Sequence, residues 1–127
     1  MCAGSGNISY EFCSRGALSV TSVDFNSKCI KFMKKQAAIM EIKPNIIECE
    51  IIKFLQKIKL QFDIIFADPP YKFKKTKLIH EIIFKKKILI DGGMLIIEHD
   101  GSYNFSSFEK YKETRKYGKV HFSFFEN

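Results

Sequence analysis

The chain has 127 residues, a hydrophobic fraction of 46% and 13 phenylalanines, which describes one folded domain and excludes a disordered chain. No apolar run is long enough to span a bilayer, and no basic start leads into a long apolar stretch, so neither a membrane partner nor a secretory leader is expected. The net charge of +7 favours a polyanionic partner, although only Arg15 and Arg115 of the 21 basic residues are arginine, and lysine contacts phosphate without reading bases.

The chain opens in a glycine-rich turn, Ala3-Gly4-Ser5-Gly6. Residues 7 to 15 read as a helix with Ile8, Phe12 and Cys13 on one side, stopped at Arg15-Gly16. Leu18 to Val23 reads as a strand ending in Asp24. Asn26 is a good N-cap for a helix over about 27 to 41, with Cys29, Ile30, Met33, Ala37 and Met40 at helical spacing. A short strand around Ile46-Ile47 follows Pro44, and 50 to 59 reads as a helix carrying Ile51, Phe54, Leu55 and Ile58.

The apolar run 62 to 67 is a buried strand that runs into Asp68-Pro69-Pro70-Tyr71. Lys72 to Lys75 is a basic loop. A helix over about 76 to 86 is expected to close at Asp91-Gly92-Gly93, before a strand from Met94 to Ile97 that ends at Glu98-His99-Asp100. Residues 101 to 107 form a loop with room for one helical turn. Two alternating segments, about 110 to 116 and 119 to 125, flank Tyr117-Gly118 as a hairpin turn. Strands alternating with helices predict an α/β fold with a mostly parallel, doubly wound sheet, closed by an antiparallel hairpin. Cys2, Cys13, Cys29 and Cys49 show no CxxC pair and no histidine at metal spacing. They read as reduced, cytosolic and mostly buried, with no metal site.

The most informative stretch is Asp68 to Tyr71. Neither proline donates to a sheet ladder, and each holds the residue before it extended. The result is a rigid tip at a strand's carboxyl end, where open α/β sheets bind ligands. It offers the Asp68 carboxylate, the Pro69 carbonyl and the flat ring of Tyr71. Two acceptors beside a ring suit a planar group with an exocyclic amine, such as a nucleobase. The plainer alternative is that the prolines end a strand and Tyr71 caps the core.

Other positions carry paired readings. The turn at Gly4 and Gly6 lets backbone approach a ligand, or is a plain tight turn. Asp24, 18 residues after Gly6, stands near the spacing of a ribose-binding acid, or is a loop carboxylate before Asn26. Glu50 faces an adenine edge or is a first-turn acid of its helix. Glu98 and His99 fall near the Asp68 crevice, although an exposed loop histidine is the commoner case. The lysines of 72 to 77 line a phosphate path or form a solvated face.

Taken together, the chain resembles the RsmD-type family of bacterial small-subunit rRNA (guanine-N2-)methyltransferases, and most of all its Bacteroidetes branch. The resemblance runs from Cys2 to Phe125. It rests on Ala3 to Glu11, Ser14 to Ala17, Ser22-Val23-Asp24, Phe54-Leu55, Phe62 to Tyr71, Gly92-Gly93, Leu95 to His99 and Arg115 to Gly118. It implies a Rossmann-like class I S-adenosylmethionine-dependent methyltransferase fold in a single cytoplasmic, monomeric domain over 1–127. The cofactor, S-adenosyl-L-methionine, would be held by Ala3, Gly4, Ser5, Gly6, Asp24, Phe25 and Glu50. Asp68, Pro69 and Tyr71 would be catalytic, with Pro70, Lys72 and His99 on the substrate side. The partner would be 16S rRNA or a small-subunit assembly intermediate. An adenine-N6 DNA methyltransferase shares Asp-Pro-Pro-Tyr, and a degenerate, non-catalytic RNA- or partner-binding remnant is the third possibility.

The chain departs from the pattern at its start. The cofactor turn begins at residue 3, so the family's N-terminal hairpin and first strand are largely missing. That strand is central in a doubly wound sheet, so an unanchored turn, exposed strand edges, poor folding and no measurable cofactor binding are expected.

Overall fold

A computed structural model describes Met1–Asn127 as two units, Met1–Phe54 and Leu55–Asn127. The first holds α1 (Asn7–Ser14), β1 (Thr21–Asp24), α2 (Ser27–Ile39) and β2 (Asn45–Glu48). The helix α3 (Ile51–Lys57) runs across the division. No strand precedes α1. β1 and β2 pair in parallel, with Thr21 opposite Asn45 and Asp24 opposite Glu48. β1 is shorter than the sequence suggests, because only its last four residues find a partner and Leu18 stays exposed.

α2 starts where its cap predicts, with Asn26 Oδ1 accepting the Lys28 N–H at 2.9 Å. Ile30, Met33 and Ala37 turn one stripe of it inward. Met40 falls outside that stripe as the exposed C-cap, because Glu41 adopts a left-handed φ of 56° and ends the helix. A buried bond from Ser22 Oγ to Ser9 Oγ, 2.7 Å, ties α1 to β1.

The second unit holds β3 (Phe62–Ala67), α4 (Thr76–Lys85), β4 (Leu89–His99), β5 (Tyr111–Tyr117) and β6 (Val120–Glu126). Its sheet has the order β3-β4-β6-β5. β3 and β4 are parallel, and β6 runs antiparallel to both β4 and β5, as the closing hairpin requires. Ile65 and Ala67 of β3, Leu95 and Ile97 of β4, and Phe125 of β6 are buried with Ile79 and Ile83 of α4. His80 is also buried there, its ring 4.5 Å from Phe84 and 4.6 Å from Phe125.

Four local expectations need correction. Asp91-Gly92-Gly93 does not close α4, which ends at Lys85; the three residues lie inside β4. They form a bulge: Phe62 pairs with Leu89 and Ile64 with Met94, so β4 carries extra residues there. Glycine is needed at 93, since a Cβ would stand 2.9 Å from the Ile90 oxygen and 3.1 Å from the Asp63 oxygen. The Asn127 side chain braces the bulge through the Leu89 and Ile90 carbonyls. The hairpin turn is Gly118-Lys119, one residue later than expected, because Tyr117 pairs with Val120. Residues 101 to 107 contain no helical turn. The four cysteines are half-buried, short of the burial expected for them.

Candidate functional site

The turn Ala3-Gly4-Ser5-Gly6 is anchored without a preceding strand. Ala3 N–H donates to the Val23 carbonyl of β1 at 3.0 Å, and Gly4 N–H donates to Asp24 Oδ2 at 2.9 Å. The expectation of an unanchored turn is therefore corrected, because β1 itself supplies the anchor, and the expected loss of cofactor binding no longer has that ground. Gly6 has φ 85°, and a Cβ there would collide with Tyr10 and Met33 at 2.7–2.9 Å. Gly4 differs: φ is 54° but nothing lies within 4 Å of a Cβ, so the space above it is open. Gly6 then caps α1 with no side chain, leaving first-turn N–H groups at a positive helix end.

Asp24 is 8% exposed at the carboxyl end of β1. Its Oδ2 takes Gly4 N–H and its Oδ1 takes Asn26 N–H at 2.8 Å, so it organises the turn directly. Each oxygen has a second lone pair for a further donor. Phe25, the next residue, is 68% exposed and offers an apolar face beside it. Glu50 Oε1 accepts Ile52 N–H at 3.3 Å, the first-turn role on α3. Open space over Gly4, unspent helix N–H groups, a carboxylate and an exposed ring fit a zwitterionic nucleoside such as S-adenosylmethionine. Its amino-acid end suits the turn, its ribose suits Asp24 and its adenine suits Phe25.

In the second unit, Asp68 follows directly on β3. Pro69 is buried and Tyr71 is 48% exposed, so the tip is seated while its ring stays open. The loop behind is braced: Phe73 N–H donates to the Pro70 carbonyl at 2.7 Å, and Tyr103 hydroxyl donates to the Phe73 carbonyl at 3.1 Å. Much of Asp68 reaches solvent, yet partial burial of its carboxyl pushes its pKa above the ordinary carboxylate value. Lys72, Lys74 and Lys75 on the same loop are exposed, open to phosphate.

The structure separates two neighbours that the sequence places together. Residues 94, 96 and 98 of β4 lie on its half-exposed face, and 95, 97 and 99 on its buried face. Glu98 thus shares a face with Asp68, and burial, then the Asp68 charge, hold its carboxyl above the usual range. His99 is 2% exposed, not a loop residue. Its Nδ1–H donates to the Asp100 carbonyl at 2.6 Å, so Nε2 accepts from Ser123 Oγ at 2.8 Å. Ser123 in turn meets Thr114 Oγ1 at 2.8 Å, and Tyr111 hydroxyl donates to Thr114 at 3.0 Å. Burial lowers the His99 pKa, consistent with a neutral ring. The substrate-side role expected for His99 is corrected, since both ring nitrogens serve this internal chain among Tyr103, Phe105 and His121.

The strand-helix alternation, the glycine turn and the closing hairpin are those of the class I S-adenosylmethionine-dependent methyltransferase fold. A candidate methylase from Haemophilus influenzae superposes with a TM-score of 0.87 at 22% identity, covering 98% of this chain and 82% of that one. A candidate S-adenosylmethionine-dependent methyltransferase from Streptococcus mutans does so at 0.79 and 15% identity, covering 98% and 43%. The chain belongs to the RsmD family: residues 1–126 match the model described as conserved hypothetical protein 95. The ribosomal RNA small subunit methyltransferase D of Buchnera aphidicola subsp. Baizongia pistaciae is 31% identical over 130 residues. That match takes in 98% of this chain, which spans 66% of the relative's length.

Proposed function

We propose that the chain is an rRNA methyltransferase, moving a methyl group from S-adenosylmethionine to the exocyclic N2 amine of a guanine in small-subunit rRNA. The observation that carries this reading is the seated Asp68-Pro69-Pro70-Tyr71 tip at the carboxyl end of β3, in a member of this family.

The N2 lone pair is delocalised into the purine ring, so the amine is a poor nucleophile. Asp68 and the Pro69 carbonyl accept its two N–H groups and favour a more tetrahedral nitrogen. Tyr71 stacks on the extruded base, a contact that contributes ~1–3 kcal/mol. S-adenosylmethionine, when bound, supplies a methyl on sulfonium, which already has a good leaving group. Positioning then supplies most of the rate, up to ~7–11 kcal/mol of the barrier. As the new bond forms, N2 sheds a proton, and the Asp68 carboxylate, its proton affinity raised by burial, receives it. Lys72 and its neighbours hold the RNA backbone.

The test is incubation with methyl-labelled cofactor and deproteinised small-subunit rRNA, followed by nucleoside mass analysis. Labelled N2-methylguanosine is expected. Labelled N6-methyladenosine, or no transfer to naked or partly assembled rRNA, contradicts the reading.

A further inference from the structure

The tip presents two acceptors for the amine, but an amine alone does not separate guanine from adenine. The register of the second unit's sheet supplies a third acceptor. β3 and β4 run in parallel with Ile64 opposite Met94, Phe66 opposite Ile96 and Ala67 opposite Ile97. The next step along both strands sets Asp68 beside Glu98. Positions 64 and 66 project from the same sheet face as 94 and 96; Asp68 follows directly on β3, two residues beyond 66, and Glu98 stands two beyond 96 on β4, so alternation carries the two carboxylates to the carboxyl end of that face. Phe122 on β6 stands opposite Glu98, and its ring is 6.4 Å from Phe66. Beyond it on β5, Arg115 is opposite Phe122 but is held by Glu113 at 2.7 Å. The charged group that Glu98 meets on this face is therefore the Asp68 carboxylate.

Resting on the proposed function, we infer that Glu98 is a specificity-determining residue: its carboxylate accepts the N1–H of the guanine whose 2-amino group Asp68 holds. Guanine carries N1–H and the 2-amino group side by side, two donors for two carboxylates on neighbouring strands. Adenine sets its 6-amino donor beside N1, which is an acceptor. A second carboxylate attracts the guanine edge and repels the adenine edge, since an acceptor facing an acceptor is left unpaired. The two groups lie close enough for charge to be felt: after burial, the Asp68 charge adds to the rise in the Glu98 pKa.

The test follows the side-chain carboxyl signals of Asp68 and Glu98 by carbon NMR in the full chain while GMP, IMP or AMP is added. GMP is expected to move both signals. IMP keeps N1–H and lacks the 2-amino group, and should move Glu98 more than Asp68. AMP should bind more weakly than GMP, and Glu98→Gln should narrow that preference by roughly tenfold or more. The inference is overturned if GMP moves Asp68 and leaves Glu98 still, or if Glu98→Gln keeps the full preference. If GMP moves neither signal, Glu98 does not read the base, and the base-holding role of Asp68 falls with it. Methyl transfer to rRNA is scored separately, so a chain that methylates guanine with an indifferent Glu98 loses only this inference.

Discussion

Gly4 and Gly6 sit two residues apart in one turn, both at positive φ, yet they face different surroundings. Replacing either by alanine imposes a left-handed strain of roughly 1–2 kcal/mol. At Gly6 the new methyl also meets the Tyr10 ring at 2.7 Å and Met33 at 2.9 Å. Those side-chain ends shift only partly, because Tyr10 hydroxyl is bonded to the Ser5 carbonyl at 2.8 Å and Met33 is fully buried. Overpacking of this kind adds ~1–3 kcal/mol. Gly6→Ala is therefore expected to destabilise by about 2–5 kcal/mol, and Gly4→Ala by about 1–2 kcal/mol. Urea unfolding measures both. Calorimetric titration with S-adenosylmethionine then separates fold from function. Gly4→Ala should lose cofactor affinity out of proportion to its small stability loss, because its methyl fills the open space assigned to the ligand. A Gly4→Ala chain that binds the cofactor as the parent does would show that the turn does not cradle it. Equal stability losses at the two positions would show that Gly6 is not packed under Tyr10 and Met33.

Two further outcomes rest on polar groups withdrawn partly or wholly from water. The Asp68 and Glu98 carboxyls have folded-state pKa values raised by burial, so the folded chain binds protons more tightly than the unfolded one. Stability should fall as pH rises from the ordinary carboxylate value of about 4 through the raised values. Glu98→Gln should accordingly raise the melting temperature at neutral pH, with the two forms converging below about pH 4; a lower melting temperature at neutral pH would contradict this. Ser123→Ala removes the donor to His99, leaving the buried Nε2 unpaired, while Thr114 keeps its bond from the Tyr111 hydroxyl. A loss of about 2–3 kcal/mol in urea unfolding is expected, and a neutral outcome would mean that the chain from Tyr111 to Asp100 stabilises nothing.

Much of this architecture was legible because local rules agreed with the final packing. Asn26 caps α2, Ile30, Met33 and Ala37 form its inward stripe, and the apolar run 62 to 67 becomes a strand because the prolines stop it. What escaped was set by distant residues. Asp91-Gly92-Gly93 reads as a helix stop in any short window; only the β3 backbone, 3.1 Å from where a Cβ on Gly93 would stand, makes it a bulge. His99 reads as a loop residue until Phe105, Tyr103 and Ser123 close around it. At the candidate site, Asp24 and Glu50 carried two readings each: Glu50 takes the first-turn role on α3, whereas Asp24 bonds the Gly4 and Asn26 N–H groups and keeps a lone pair on each oxygen for a further donor. Alternation along β4 carries the signal that separates Glu98 from His99, but it is usable only once the strand's face is known.

Asp68→Ala is the most direct trial of the idea that this carboxylate aligns a guanine amine for methylation. Labelled methyl transfer to small-subunit rRNA should vanish while calorimetric S-adenosylmethionine affinity stays within a few fold of the parent chain. Turnover near the parent's rate, with the base still methylated at N2, would mean that Asp68 does not hold the amine.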